Sequence, residues 1–202
     1  MRIGVYGGSF DPVHYGHLLL AECCREQCAL DEVWFVPAGT PPHKQDRDIT
    51  PGRWRVEMLQ LATGGTTAFR VQTLELDRGG VSYTVDTLDQ LKRQHPGDEL
   101  FLLMGADALA DLPGWREPAR ICDLAIPVVV SRAGAPVPDL AILASLVDAR
   151  RLAVIRNHLV EMPTIDLSST ELRHRVAAGR SIRFRTPRAV EQLIAAQGLY
   201  RQ

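Results

Sequence analysis

Residues 3–21 constrain this chain most. An apolar run, Ile3-Gly4-Val5-Tyr6, leads into Gly7-Gly8-Ser9-Phe10-Asp11-Pro12-Val13-His14-Tyr15-Gly16-His17, and Leu18-Leu19-Leu20-Ala21 follows. Arg2 to Tyr6 reads as a first strand, the glycines as a turn, and about Gly16 to Ala29 as a helix. Strand, turn and helix start in that order set backbone N–H groups at the carboxyl edge of a sheet, where an anion can sit. At Gly7-Gly8-Ser9 the backbone can approach such an anion closely. His14 and His17 lie about one turn apart near the helix start, so both imidazoles can project toward one bound group. Protonated or as N–H donors, they can hold anionic oxygens and stabilise developing charge. The pattern is neither Gly-x-Gly-x-x-Gly nor the Gly-Lys-Ser/Thr loop.

Strand and helix signals then alternate along the chain, which predicts an α/β fold with a mostly parallel sheet. Glu32 to Pro37 reads as a second strand, followed by a polar, proline-rich loop over Ala38 to Thr50. Thr50-Pro51 reads as an N-cap with proline at the first helical position, and Trp54, Met58, Leu59 and Leu61 as that helix's apolar face. Phe69 to Leu74 alternates like a strand, Gly79-Gly80 breaks the chain, and a helix opens at Thr84 and ends near His95-Pro96-Gly97. Leu100 to Met104 is continuously apolar, as expected of a central strand buried on both faces. Leu124 to Ser131 is a further strand, with Pro127 suggesting an irregular start or an edge, and Leu152 to Ile155 a short one. Residues 133–150 read as a loop and then a helix. Two helices close the chain, Ser169–Ala178 and Pro187–Gln197, stopped by Gly179 and Gly198. A single domain is expected over residues 1–202, an α/β core to residue 165 and a small C-terminal helical segment over 166–202.

The bulk properties exclude several classes. The 202 residues suffice for a buried core, and a net charge of −1 gives no reason to expect nucleic acid or a membrane surface as partner. The apolar runs are too short to span a bilayer, and the first residues read as strand rather than leader, so the cytoplasm is the expected location. Cys23, Cys24, Cys28 and Cys122 follow no disulfide or zinc spacing and are expected as reduced, packed thiols, with no metal site.

Four further stretches bear polar chemistry. The loop after the second strand carries His43 and Lys44 and is long for its place. Asp107, in Gly105-Ala106-Asp107, stands where a buried strand ends, a position suited to holding ribose hydroxyls and equally to capping a helix. Trp115 follows Gly114, in a loop-like setting where its indole can stack on a flat ring, with Ser82-Tyr83-Thr84 as possible hydrogen-bonding neighbours. Ser168-Ser169-Thr170 can cap a helix, with the Arg173 guanidinium one turn on; this is an ordinary N-cap or one half of a polyphosphate clamp.

The stretch Gly7 to His17 resembles the signature of the nucleotidyltransferase superfamily that carries a His-x-Gly-His motif. Val36-Pro37 with Pro41-Pro42-His43-Lys44, Ser82-Tyr83-Thr84, Gly105-Ala106-Asp107 with Trp115, Ser168 to Arg173, and Gly198-Leu199-Tyr200 resemble the bacterial nicotinate-nucleotide adenylyltransferases within it. The resemblance spans essentially the whole chain and implies a Rossmann-like fold. It implies adenylyl transfer from ATP to nicotinate mononucleotide, giving deamido-NAD and pyrophosphate in NAD biosynthesis, with Mg2+ carried mainly by the ATP phosphates. It implies catalytic roles for His14, His17, Lys44 and Arg173. ATP is expected against Gly7, Gly8, Ser9, Phe10, His14, Gly16, His17, Gly105, Asp107, Arg132, Ser168, Ser169, Thr170 and Arg173. Nicotinate mononucleotide is expected against Ser9, Lys44, Tyr83, Thr84, Trp115 and Arg116. The chain departs from the family where Arg116 follows the tryptophan in place of an aromatic residue, and where Arg132-Ala133-Gly134 replaces Arg-Pro-Gly. Arg116 in that place suggests charge recognition of the nicotinate carboxylate. Two other readings stay open: transfer to a different phosphate ester, such as nicotinamide mononucleotide or phosphopantetheine, and a nucleotide-binding module without turnover. A homo-oligomer is compatible with the sequence.

Overall fold

The computed structural model describes residues 1–40, 49–134 and 136–201. Six strands form one parallel sheet: β1 (Arg2–Gly8), β2 (Glu32–Pro37), β3 (Phe69–Val71), β4 (Glu99–Gly105), β5 (Ile126–Arg132) and β6 (Leu159–Met162). Their order is β3-β2-β1-β4-β5-β6. The chain builds outward from β1 to β3, then returns to the other side of β1 and builds outward again. The carboxyl edge between β1 and β4 is therefore the point where strand order reverses, and a crevice opens there in folds of this kind. The architecture is the α/β, Rossmann-like one expected.

Nine α-helices flank the sheet among the described residues. They are α1 (Tyr15–Gln27), α2 (Gly52–Thr63), α3 (Leu74–Arg78), α4 (Thr84–Gln94), α5 (Ala106–Asp111), α6 (Pro118–Leu124), α7 (Ala149–Arg156), α8 (Ser169–Ala177) and α9 (Arg188–Ala196). β2 is buried along its whole length and β4 along its five central residues, which is why Leu100 to Met104 reads as a continuous apolar run. α4 packs on α6, and α2 packs on α9, which brings the end of the chain to the start of the sheet. All four cysteines are free, three of them buried and Cys23 half-buried.

Several elements differ from the sequence expectation. β1 continues through Gly7 and Gly8, because both pair with β2, and the turn falls instead at Asp11-Pro12 after Phe10, which takes a left-handed backbone at φ 48°. Pro51, not Thr50, is the N-cap of α2. Leu61 is 41% exposed; the buried stripe of α2 runs through Arg55, Met58 and Leu59, at i, i+3 and i+4. β3 stops at Val71, and Leu74 begins a short helix instead. Pro127 lies within an interior strand. Val129 N–H donates to the His158 carbonyl on the β6 side, so Pro127, two residues earlier, faces the same side before β6 begins pairing, and its missing N–H costs no ladder bond. Leu152 to Ile155 belongs to α7, which Asp148 caps by accepting the Arg151 N–H at 2.7 Å, and the sixth strand lies further on, at Leu159–Met162.

Candidate active site

The floor of the crevice is glycine. Gly7 ends near the tip of β1 and Gly105 ends β4, and a Cβ built at either would meet nothing within 4 Å. Side chains there would project into the crevice, so their absence keeps backbone exposed to whatever binds.

The turn after β1 carries the histidines. The Phe10 ring is 1% exposed and packs against Tyr6, His17 and Phe35, which fixes the turn from below. His14 is the N-cap of α1. Its backbone N–H donates to His17 Nδ1 at 3.2 Å, so Nδ1 is an acceptor and the His17 proton sits on Nε2. The two imidazoles stack at 3.7 Å between centroids and 21° between planes. Gly16 permits that stack, since a Cβ there would lie 3.0 Å from the His14 Cε1 and Nδ1 atoms. Burial pulls the His14 pKa down to about 4 and holds that of His17 well below its usual value, with the neighbouring His14 adding to the effect. Both are therefore neutral at pH 7, which decides between the two forms the sequence allowed. His14 Nδ1 is buried with no partner among the described residues.

The C-terminal helices reach back to this turn. Ser168 caps α8 by accepting the Glu171 N–H at 3.1 Å. Ser169 Oγ donates to the Pro12 carbonyl at 2.8 Å, Arg173 Nη1 to the Asp11 carbonyl at 2.7 Å, and Thr186 Oγ1 to the Val13 carbonyl at 2.8 Å. Arg173 Nη2 also meets Thr170 Oγ1 at 3.4 Å. The Asp11 carboxylate accepts from Tyr200 at 2.6 Å and from the Thr50 N–H at 3.3 Å. The α8 start and the histidine turn, more than a hundred and fifty residues apart in sequence, thus form one unit.

Two cavities open from the crevice. One, of about 520 Å³, is lined by both histidines with Gly16, by Gly105 and Asp107, and by Arg132, Ser168 and Ser169. The other, of about 500 Å³, is lined by Gly7, Gly8 and Ser9, by Tyr83 and Thr84, and by Trp115 and Arg116. Tyr6 and Gly105 line both, so the cavities adjoin. Trp115 is half-buried, just past the 3-10 turn at Leu112–Gly114, as its glycine neighbour suggested. The Arg116 guanidinium lies 4.8 Å from the Tyr83 ring centroid, with Asp86 at 3.6 Å and Glu117 at 3.7 Å sharing its charge. Of the predicted residues, Thr170 and Arg173 line neither of the two cavities, Arg173 being held on the Asp11 carbonyl of the histidine turn, and the Phe10 ring is core. His43 and Lys44 lie outside the described residues.

Two buried charges in this region went unread in the sequence. Glu75 lines the second cavity and accepts from Thr87 Oγ1 at 2.6 Å. It sits in a five-residue helix that the alternation of residues 69–74 concealed. Arg55 is 2% exposed, and its register with Met58 and Leu59 on a 3.6-residue period was the signal available.

The Cytidylyltransferase-like family model matches residues 5–175. A protein of Thermomicrobium roseum named "Probable nicotinate-nucleotide adenylyltransferase" is 47% identical over 99% of this chain and 92% of its own length. One of the same name from Thermus thermophilus is 45% identical over the full length of both. Among solved structures, the Plasmodium falciparum nicotinic acid mononucleotide adenylyltransferase complexed with NaAD superposes with a TM-score of 0.74 at 19% identity, covering 99% of this chain and 97% of that one. The same protein complexed with APC gives 0.73 at 18% identity, with the same coverage. A reversing parallel sheet, a stacked imidazole pair at the point of reversal and a full-length match at this identity agree: the chain belongs to the cytidylyltransferase-like family, in its nicotinate-nucleotide adenylyltransferase branch.

Proposed function

We propose that the protein transfers the adenylyl group of ATP to nicotinate mononucleotide, releasing pyrophosphate and forming deamido-NAD, a step of NAD biosynthesis. The observation that carries this is the pair of adjoining cavities, joined at Tyr6 and Gly105, with neutral imidazoles on the rim of one. ATP occupies the cavity lined by the histidines, Asp107 and Arg132, with Asp107 toward its ribose. The pyridine ring occupies the other, against Trp115, with Tyr83 and Thr84 toward its carboxylate.

The chemistry needs no protein base. The attacking group is a phosphate monoester with a second pKa near 6, already mostly a dianion at pH 7. Its oxygen forms a bond to the α-phosphorus as the bond to the β-phosphate oxygen breaks, and the electron pair leaves with pyrophosphate. What the protein supplies is alignment and relief of charge. His17 Nε2–H is a fixed donor, and the stacked His14 holds its place through the N-cap contact. Arg173, anchored through one nitrogen to the turn, and Lys44 are assigned to the triphosphate. Among the described residues no three His, Cys, Asp or Glu side chains gather to hold an ion. Mg2+ borne by the phosphate oxygens and water would neutralise charge on the leaving group. No helix among the described residues is long and apolar enough to cross a membrane.

Pyrophosphate release from ATP, measured with nicotinate and nicotinamide mononucleotide in wild type, His17→Ala and Arg116→Ala, tests this directly. Turnover with the acid is expected, with kcat lowered by on the order of a hundredfold in His17→Ala. Arg116→Ala is expected to reduce the acid-to-amide ratio of kcat/KM. No release with either mononucleotide, or a covalent nucleotidyl-histidine trapped from enzyme and ATP alone, overturns the mechanism.

A further inference from the structure

Arg55 lines neither cavity, yet it is one of the few buried charges among the described residues, at 2% exposure on the inward stripe of α2. Its guanidinium donates to three carbonyl oxygens. Nε meets Thr50 at 2.9 Å, Nη1 meets Ser9 at 3.0 Å and Nη2 meets Ala38 at 2.7 Å. None of these partners is a carboxylate, and burial lowers the Arg55 pKa, with the Asp11 and Glu75 carboxylates offsetting part of that from nearby. Burying a guanidinium on carbonyls alone is a costly way to hold a fold together. The three segments it joins explain the cost. Ser9 is the residue between the glycine floor and the histidine turn. Ala38 follows β2, and Thr50 precedes α2, so together they bracket residues 39–49.

We infer that Arg55 is a positioning residue for adenylyl transfer: its fork fixes the backbone at Ser9 relative to Ala38 and Thr50, and so sets the distance between the mononucleotide cavity and the histidine pair. The neighbouring contacts act in the same sense. Gly39 N–H donates to Ser82 Oγ at 3.2 Å, and Thr50 N–H to the Asp11 carboxylate at 3.3 Å, so both sides of the bracketed stretch are tied to elements of the site. A guanidinium is suited to this because its donors diverge in one rigid plane; a lysine ammonium at the same place is a point charge that cannot reach three carbonyls held in that arrangement. Displacement of a reacting group by about 1 Å costs on the order of a hundredfold in rate.

The role rests on the adenylyl-transfer function proposed above, and the test separates the two. Pyrophosphate release is measured for wild type, Arg55→Lys and Arg55→Ala, with circular dichroism and thermal unfolding confirming that each variant is folded at the assay temperature. A loss of folded protein lowers apparent kcat at constant KM. Loss of positioning is expected to lower kcat by about tenfold to a hundredfold and to raise KM for nicotinate mononucleotide as well. Millimolar ethylguanidinium is expected to restore Arg55→Ala at least several-fold, whereas ethylammonium at the same concentration does not, and neither affects His17→Ala. Arg55→Lys keeps the charge and packs closest to wild type, so it serves if the alanine variant does not fold. The inference is overturned if a folded variant keeps kcat and KM within about twofold of wild type, if kcat falls only in step with the folded fraction, or if neither variant folds. A wild type without turnover overturns the proposed function, and this role with it.

Discussion

His14 shows how one residue's burial sets both its chemistry and its cost. Its pKa is pulled down to about 4, against an ordinary histidine value of 6.5 in the unfolded chain. Between those values the unfolded chain binds more protons than the folded one, so stability is lost as the pH falls through that window and is recovered as it rises. At one pH unit per 1.4 kcal/mol, the full effect approaches about 3 kcal/mol below pH 4. Urea unfolding of wild type and His14→Asn between pH 4 and 7.5 checks this. The stability of wild type relative to the variant is expected to fall by about that amount toward pH 4; a difference independent of pH contradicts it. The same depression predicts that neither histidine shapes the acid limb of kcat/KM, which should follow the mononucleotide phosphate near pH 6.

At the scale of elements, the glycines separate packing from function. Gly16→Ala drives a Cβ to 3.0 Å from the His14 ring, so the stacked pair must shift. A fall in kcat of at least tenfold is expected, with a stability loss of about 1 kcal/mol. Gly7→Ala and Gly105→Ala place a methyl group in open space, so unfolding midpoints should move little while KM rises as the cavities narrow. Equal stability losses in all three would remove the distinction. The sequence showed most of these elements, because β2 and β4 are buried on both faces and carry their signal in composition alone. It misled where a short apolar run fits either period. Leu152 to Ile155 is helix because the Asp148 cap precedes it, a signal as local as the run itself, whereas β6 has only four residues, two of them buried, to announce a strand. The sequence marked the histidines, Asp107, Trp115 and Ser168 as candidates, and the structure sets all five on the walls of the two cavities, but Asp107 and Ser168 read equally well as helix caps and took their roles from the family resemblance. Glu75 was not marked, because a buried charge looks like a surface one until the contacts that hold it are known, and Arg55 showed only in its register with Met58 and Leu59.

At the scale of the whole molecule, the site exists only because the sheet reverses at β1 and the chain's end returns to its beginning. The reversal sets two cavities side by side, and contacts from α8 and Thr186 close on the turn between them. A ligand carrying both halves of the product should therefore bind as one rigid bridge, whereas AMP or nicotinate mononucleotide fills a single cavity. Linking two such fragments combines their contact energies while the loss of free motion is incurred once. Ligand stabilisation follows RT ln(1 + [L]/Kd), so each tenfold gain in affinity adds about 1.4 kcal/mol to unfolding. Thermal shifts at one fixed concentration are expected to be larger for deamido-NAD than for either fragment. Trp115→Ala should reduce the shift from deamido-NAD and from the mononucleotide while sparing that from AMP, and Asp107→Ala should reduce the shifts from deamido-NAD and AMP while sparing that from the mononucleotide. A dinucleotide shift no larger than that of the better fragment would mean that the two cavities, though they share Tyr6 and Gly105, do not act as one site.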